Sequence, residues 1–321
     1  MNRHDSSTSF VAAAATILVA IMLYDVMSAI IKHLSARYPT EQLAFFRNLF
    51  GLIPTGIILF FSRKWAEAGK PLVIRQWKLG LIRGVVAAFA QLCMYLGIAH
   101  LEFATATTIL FSGPLFVTAL SIPLLGHRVG LIRWLAVITG FAGVLLVMQP
   151  TAPDFSWYAL LPLLAALGFG SISVSAQRFD NSVPTALMNL YGNAGSLVCF
   201  VIMLLVLDSF VPILNPEDWL WLGAIGLAGG LAAYFLIAAY RLAEPSSLSP
   251  FEYFAIPFSF TLGWIFFDET PLERLFPGVL LIVGSGLYIL WREQRTGEQC
   301  KGKYTPDLQK QNQSDQSVEP N

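Results

Sequence analysis

Two stretches, VVAAFAQLCMYLGIAHLEFATATTILFSGPLF (85–116) and LAAYFLIAAYRLAEPSSLSPFEYFAIPFSF (231–260), decide how this chain folds. Each is a pair of apolar runs interrupted by a short turn, and they align at an offset of roughly 142–143 residues. Pro114 falls on Pro257, Gly126-His127 on Asp268-Glu269, and Gly143 on Gly286. Matching prolines and turns mark a duplicated unit, because hydropathy alone has no reason to repeat them in register. Working outward, each half holds five apolar runs. Five is odd, so the second copy enters a membrane upside down relative to the first.

The bulk composition agrees. Of 321 residues, 55% are hydrophobic and only 12% charged, with a mean hydropathy of +0.63. A water-soluble domain carries about 25% charged residues, so this chain cannot cover a soluble globule. Net charge is zero, which removes the basic surface expected of a nucleic-acid partner. Cys93 and Cys199 lie in apolar runs and Cys300 in a polar segment, implying neither a disulfide framework nor a metal site. The four histidines (His4, His33, His100 and His127) are scattered, and no GxxxxGK[ST] loop is present to hold a nucleotide. No cofactor is expected.

Runs long enough to cross ~30 Å of hydrocarbon fall at roughly 10–33, 42–62, 79–99, 102–124 and 130–149, then at roughly 156–177, 184–207, 218–240, 246–267 and 273–291. The expected fold is an all-α integral membrane protein of ten transmembrane helices, built as two inverted five-helix repeats over 1–150 and 151–292. Residues 293–321, rich in Gln, Ser, Lys and Asp, are expected to form a disordered cytoplasmic tail. The first run, Phe10 to Leu23, lacks a preceding basic cluster and reads as an uncleaved span. With the N-terminus cytoplasmic, 15 of the 20 Lys and Arg residues fall on that side, so both termini are expected there.

Charged groups within spans identify candidate chemistry, since each costs roughly 2.5–3.5 kcal/mol at the bilayer centre. Asp25 shares a helical face with Ser28. It either holds a cationic group or a coupling proton, or pairs with Arg47. Arg47 either clamps a carboxylate or phosphate, or serves as a structural ion pair. Arg83, in GLIRG, reads as a cation reaching the interface, and Gly80 and Gly84 there allow close helix approach. Gln91 and Tyr95, four apart, either line a cavity or join helices. Glu252 falls early in the ninth run, where a helix dipole contributes only about 0.3–1 kcal/mol, so a polar cavity beside it is expected. Tyr253 adds a hydroxyl, and a desolvated Glu252 suits proton coupling. Pro114 and Pro257 each delete a backbone hydrogen bond in mid-run and are expected to kink or break the helix around a site.

With these residues in view, the chain resembles the EamA-type transporters of the drug/metabolite transporter superfamily. The resemblance is carried by YPTEQLAFFRNLFGLIP (38–54), LIRGVVAAFAQLCMYLGIAHLEFATATTILFSGPLF (81–116) and SSLSPFEYFAIPFSFTLGWIFFDETP (246–271). The segment YDVMSAIIKHL (24–34) is similar to the opening of the superfamily's S-adenosylmethionine carriers; where those tend to show Tyr-Arg-Tyr, this chain has Phe251-Glu252-Tyr253. Riboflavin carriers and amino-acid exporters share the pattern. The resemblance implies a secondary transporter of the inner membrane, moving a small polar organic metabolite through a cavity lined by the first, third, fourth, sixth, eighth and ninth spans. An integral-membrane enzyme or a receptor is the alternative, and neither has need of two inverted halves.

Overall fold

The computed structural model describes residues 3–67, 69, 75–113, 115–117, 119–120, 131–150, 155–175, 183, 185–242, 251–269, 272–285, 287–288 and 291. All regular structure among them is helical: α1 (Arg3–Leu34), α2 (Thr40–Phe60), the short α3 (Arg63–Glu67), α4 (Trp77–His100), α5 (Phe103–Leu110) and α6 (Leu131–Met148). A 3₁₀ turn at Trp157–Ala159 leads into α7 (Leu160–Ser175), followed by α8 (Thr185–Leu207), α9 (Pro216–Leu242), α10 (Ala255–Phe267) and the one-turn α11 (Leu272–Leu275). Residues 278–285 form a last helical stretch. In hydrocarbon only a structure that pairs its own backbone groups is tolerated, and helices do this within one segment.

Six of these helices are long and apolar enough to cross a membrane: Val11–Leu34, Thr40–Phe60, Trp77–His100, Trp157–Ser175, Ala186–Leu207 and Pro216–Leu236. Phe103–Val117, Trp134–Met148 and Ala255–Phe267 are shorter apolar helices. Large side chains such as Ile138, Leu205, Val206 and Phe266 are exposed, as expected of surfaces that meet lipid rather than water. The tail at 293–321, Pro114 and the Gly126-His127 turn lie outside the described residues.

Helices α1, α2 and α9 pack together, as do α4, α7 and α8, and α2 and α8 join the two groups. Close approach rests on small residues. A Cβ added to Gly84 of α4 would lie 2.8 Å from the Cα of Gly195 on α8, so these two backbones touch. Gly80, one turn earlier, faces the ring of Tyr191.

The fourth and ninth apolar runs are not continuous helices. The first stops at Leu110 and turns through Phe111 and Ser112; the other turns through Tyr253 and Phe254 before α10 begins. Pro257 therefore sits in the first turn of α10, where its missing N–H is not required, and the chain is broken ahead of the proline rather than kinked at it. The two breaks meet: the rings of Phe111 and Tyr253 lie 5.9 Å apart.

Candidate functional site

A polar cavity of about 250 Å³ lies between α1, α2, α4, α7, α8 and α9. Tyr24, Arg47, Thr55, Arg83, Asn189, Asn193 and Tyr234 supply its polar lining. It extends toward the end of the bundle that carries Arg63, Arg75 and Lys78. A second depression, beside Phe141, Val144 and Trp157, is lined by apolar side chains on the exposed flank of α6 and offers no chemistry.

Among the described residues Arg47 is, with Arg83, one of two cations that line this cavity. Its Nη1 donates to Asn48 Oδ1 at 3.1 Å and to Asn193 Oδ1 at 3.4 Å. Asn48 in turn donates to Gln91 Oε1 at 2.9 Å and to the Ala44 carbonyl at 2.8 Å. Asn193 donates to Thr55 Oγ1 at 3.2 Å, whose own hydroxyl donates to the Gly51 carbonyl at 2.8 Å. A chain of amides and hydroxyls from α2, α4 and α8 thus holds the guanidinium in place. Every group in it is neutral. Among the described residues no carboxylate lies within ion-pair distance of Arg47. Arg47 has five N–H donors, so a planar anion entering the cavity can still be held by two of them.

The sequence grouped seven residues as one site, and the structure distributes them. Arg47 lines the cavity. Gln91 is buried behind it and orients Arg47 through Asn48. Tyr95 is buried in the core beside Met94 and Met27, within electrostatic reach of Arg47 and Tyr24. Asp25 is 6% exposed, and its Oδ2 is buried without a hydrogen-bond partner. It forms no ion pair with Arg47. Ser28, one turn beyond Tyr24 on α1, is half-buried. Glu252 is half-buried ahead of α10, within electrostatic reach of Tyr24 and Tyr253. Tyr253 packs on Ile256 and Val279, with its hydroxyl buried and unpartnered. Asn189, Asn193 and Thr55 went unremarked in the sequence; two amides four residues apart in the apolar run of α8 were the available signal.

Arg83 donates through Nη1 to the Ile172 carbonyl and, at 2.7 Å, to Ser175 Oγ. It satisfies the last turn of α7 and so ties that helix to α4 beside the cavity.

The opposite end of the bundle is tied shut. Lys32 of α1 pairs with Glu269 and also donates to the Leu101 carbonyl at 2.7 Å. Glu269 Oε2 accepts from the Phe103 amide at 2.6 Å. Asp268 adopts left-handed φ 56° after α10, and the Glu269 N–H returns to the Gly263 carbonyl at 3.1 Å; this helix-ending turn aims the carboxylate back at α1 and α5. Asp218, 1% exposed, accepts from Tyr38 Oη at 2.7 Å and from Arg37 at 2.9 Å. That hydrogen bond, chief among the influences on it, raises the Tyr38 phenol above its ordinary pKa. Gln42 clamps Val211 through both its backbone groups, at 2.8 and 2.9 Å.

Residues 11–149 and 156–291 each match the model of a family described as EamA-like transporter family. An S-adenosylmethionine uptake transporter of Rickettsia conorii is 22% identical over 91% of this chain and 97% of its own length. The pseudopaline exporter CntI of Pseudomonas aeruginosa is 28% identical over 83% of this chain and 91% of its own. A riboflavin transporter of Rhizobium johnstonii is 30% identical over 67% and 70%. A solved crystal structure, 18% identical, shares the fold with a TM-score of 0.57, covering 87% of this chain and 96% of that one.

Proposed function

The chain belongs to the EamA-like transporter family and is a multi-pass membrane protein; on that premise we propose that it is a secondary active transporter of the inner membrane. It moves a small polar organic metabolite, with an amino-acid derivative favoured over a nucleoside-like compound or a vitamin, by alternating access. The observation that carries the substrate class is the charge of Arg47, matched by no carboxylate among the described residues, in a cavity whose remaining polar lining is neutral apart from a second cation, Arg83. A solute bearing a carboxylate supplies what the site lacks.

Ten helices in two inverted halves is the architecture proposed with this reading, and the packing supports it. With α1 and α7, α2 and α8, α4 and α9, α5 and α10 taken as mates, the most extensive contacts come in matching pairs. The contact of α1 with α9 has its counterpart in α7 with α4, and α2 with α9 in α8 with α4. The contact of α1 with α10 answers that of α7 with α5, while α2·α8 and α5·α10 each map onto themselves. The helix breaks at 111–112 and 253–254 are mates as well. The Lys and Arg distribution supports cytoplasmic termini; with that orientation this conformation faces inward, with the Lys32–Glu269 end toward the outside.

Uptake and efflux by the full chain in proteoliposomes test the reading, against amino acids, S-adenosylmethionine, riboflavin and metallophore-like amines, with and without a pH gradient. Arg47→Gln is expected to weaken the movement of carboxylate-bearing solutes about 100-fold, the ~3 kcal/mol of a lost charge-assisted contact. Undiminished transport by Arg47→Gln removes the substrate assignment, and no movement of any of these solutes by the wild type counts against the function itself.

A further inference from the structure

Asp25 is the one carboxylate of α1's apolar stretch, and neither the cavity nor its polar chain uses it. We propose that Asp25 is a protonation site: it holds a proton in this conformation at neutral pH and surrenders it when α1 moves, which makes it the coupling residue of the carrier. The assignment of coupling rests on the transport reading; the proton on Asp25 does not.

The geometry argues as follows. Asp25 is 6% exposed and its Oδ2 reaches no donor. One turn before it, Ile21 packs against Ala239 of α9 and Ala255 of α10, with Phe111 and Phe251 alongside; two turns after it, on the same face, Lys32 is already committed to Glu269 and Leu101. Among the described residues, the titratable groups around this depth are Tyr24 beside it, Arg47 on α2, Tyr95 on α4, Tyr234 on α9, and Glu252 and Tyr253 ahead of α10. Arg47 is the sole cation in that set, and its donors go to Asn48 and Asn193. A carboxylate 6% exposed, with Oδ2 buried and unpartnered, loses hydration with no hydrogen bond gained in return, so the group is carried as the neutral acid. Buried Asp218 is the contrast: with Tyr38 and Arg37 donating to it, it is built to stay charged.

The position also supplies the switch. Asp25 adjoins Tyr24, which lines the Arg47 cavity, and α1 packs against α10 just past the break at Tyr253–Phe254. In this state Arg47 lacks an anion while Asp25 lacks a cation, on two neighbouring helices. A substrate carboxylate on Arg47 leaves Asp25 needing its proton. A cavity without the anion leaves Arg47 able to stabilise the ionised form once α1 shifts. Proton and anion are thereby linked, and each favours binding of the other.

Infrared spectroscopy of the purified full chain reads the proton directly. The wild type at neutral pH should show the carbonyl band of a buried protonated carboxylic acid, lost as pH is raised. The band should move when aspartate alone is carbon-13 labelled, stay in Glu252→Gln and vanish in Asp25→Asn. Asp25→Asn should also flatten the dependence of Tm on pH that the wild type shows, since the neutral amide mimics the acid form. The labelling arm needs no variant, so a poorly folding Asp25→Asn leaves the test intact. Absence of the band at neutral pH, its persistence up to the pH of unfolding, a shift on glutamate labelling or its loss in Glu252→Gln overturns the assignment. None of these outcomes depends on knowing the transported solute.

Discussion

The two ends of this bundle are held by different means. At one end, side chains distant in sequence reach across helix boundaries in charged or paired contacts: Lys32 to Glu269, Tyr38 and Arg37 to Asp218, Gln42 to Val211. At the other, a cavity of about 250 Å³ enters between α2, α4, α7 and α8, and Arg83 donates to the end of the neighbouring α7. Water can replace a side-chain contact when helices part. It cannot replace apolar packing without large cost. Polar ties are therefore the form of closure suited to an end that must open, and the comparison predicts that breaking them moves the conformation rather than unfolding the chain.

The largest effect is expected at Glu269. Both side chains of its pair are mostly buried, at 12% and 17% exposed, and removing one partner of such a pair costs about 3 kcal/mol. Glu269→Gln strands the Lys32 ammonium and loses the charged acceptor of the Phe103 amide. The closed end should open, raising by about 100-fold the rate at which a water-soluble maleimide labels a cysteine placed at Ala106, now fully buried, in a chain lacking Cys93, Cys199 and Cys300. Unchanged labelling with lowered Tm means the pair serves stability alone, and the contrast between the ends fails.

Smaller effects are expected at Asp218, where the two donors separate. Arg37 is 45% exposed and Asp218 1%, so the ion pair is largely screened and Arg37→Ala should cost under about 1 kcal/mol. The Tyr38 hydroxyl is a buried donor to a charged acceptor, worth about 1.5–3 kcal/mol. Tyr38→Phe should thus promote labelling at Ala106 more than Arg37→Ala does. The reverse order shifts the closing role from the buried hydrogen bond to the surface charge.

Much of this was legible in the sequence, and what was missed has a common cause. Span positions follow from hydropathy, and the Gly80–Gly84 spacing marked a close crossing whose partner, Gly195, is on α8. Arg47 was visible as a charge in an apolar run. Its neighbour Asn193 is 146 residues away, and Lys32 meets Glu269 across 237; which faces meet is set by helix rotation and packing, which hydropathy does not encode. For that reason the Lys32–Glu269 pair was not legible, and Asp25 read as a candidate partner of Arg47. The prolines marked the ninth span's discontinuity to within a turn: residue i−4 of Pro257 is Tyr253, whose carbonyl the ring would strike in an unbroken helix.

The smallest effect is predicted at the open end, and it sharpens the contrast most cleanly. Arg83 Nη1 contacts the Ile172 carbonyl and Ser175 Oγ, both in the last turn of α7, where a cation gains about 0.3–1 kcal/mol from unsatisfied carbonyls. Lysine keeps the charge and loses the fork, so Arg83→Lys should lower Tm slightly, retain transport and leave labelling at Ala106 at the wild-type rate. Arg83→Gln removes the charge from a cavity wall as well; a loss of affinity confined to this variant would mean that Arg83 joins Arg47 in holding the anion. Accelerated labelling in Arg83→Lys would instead mean that the two ends are coupled through α7, and that opening one end is not independent of what secures the other.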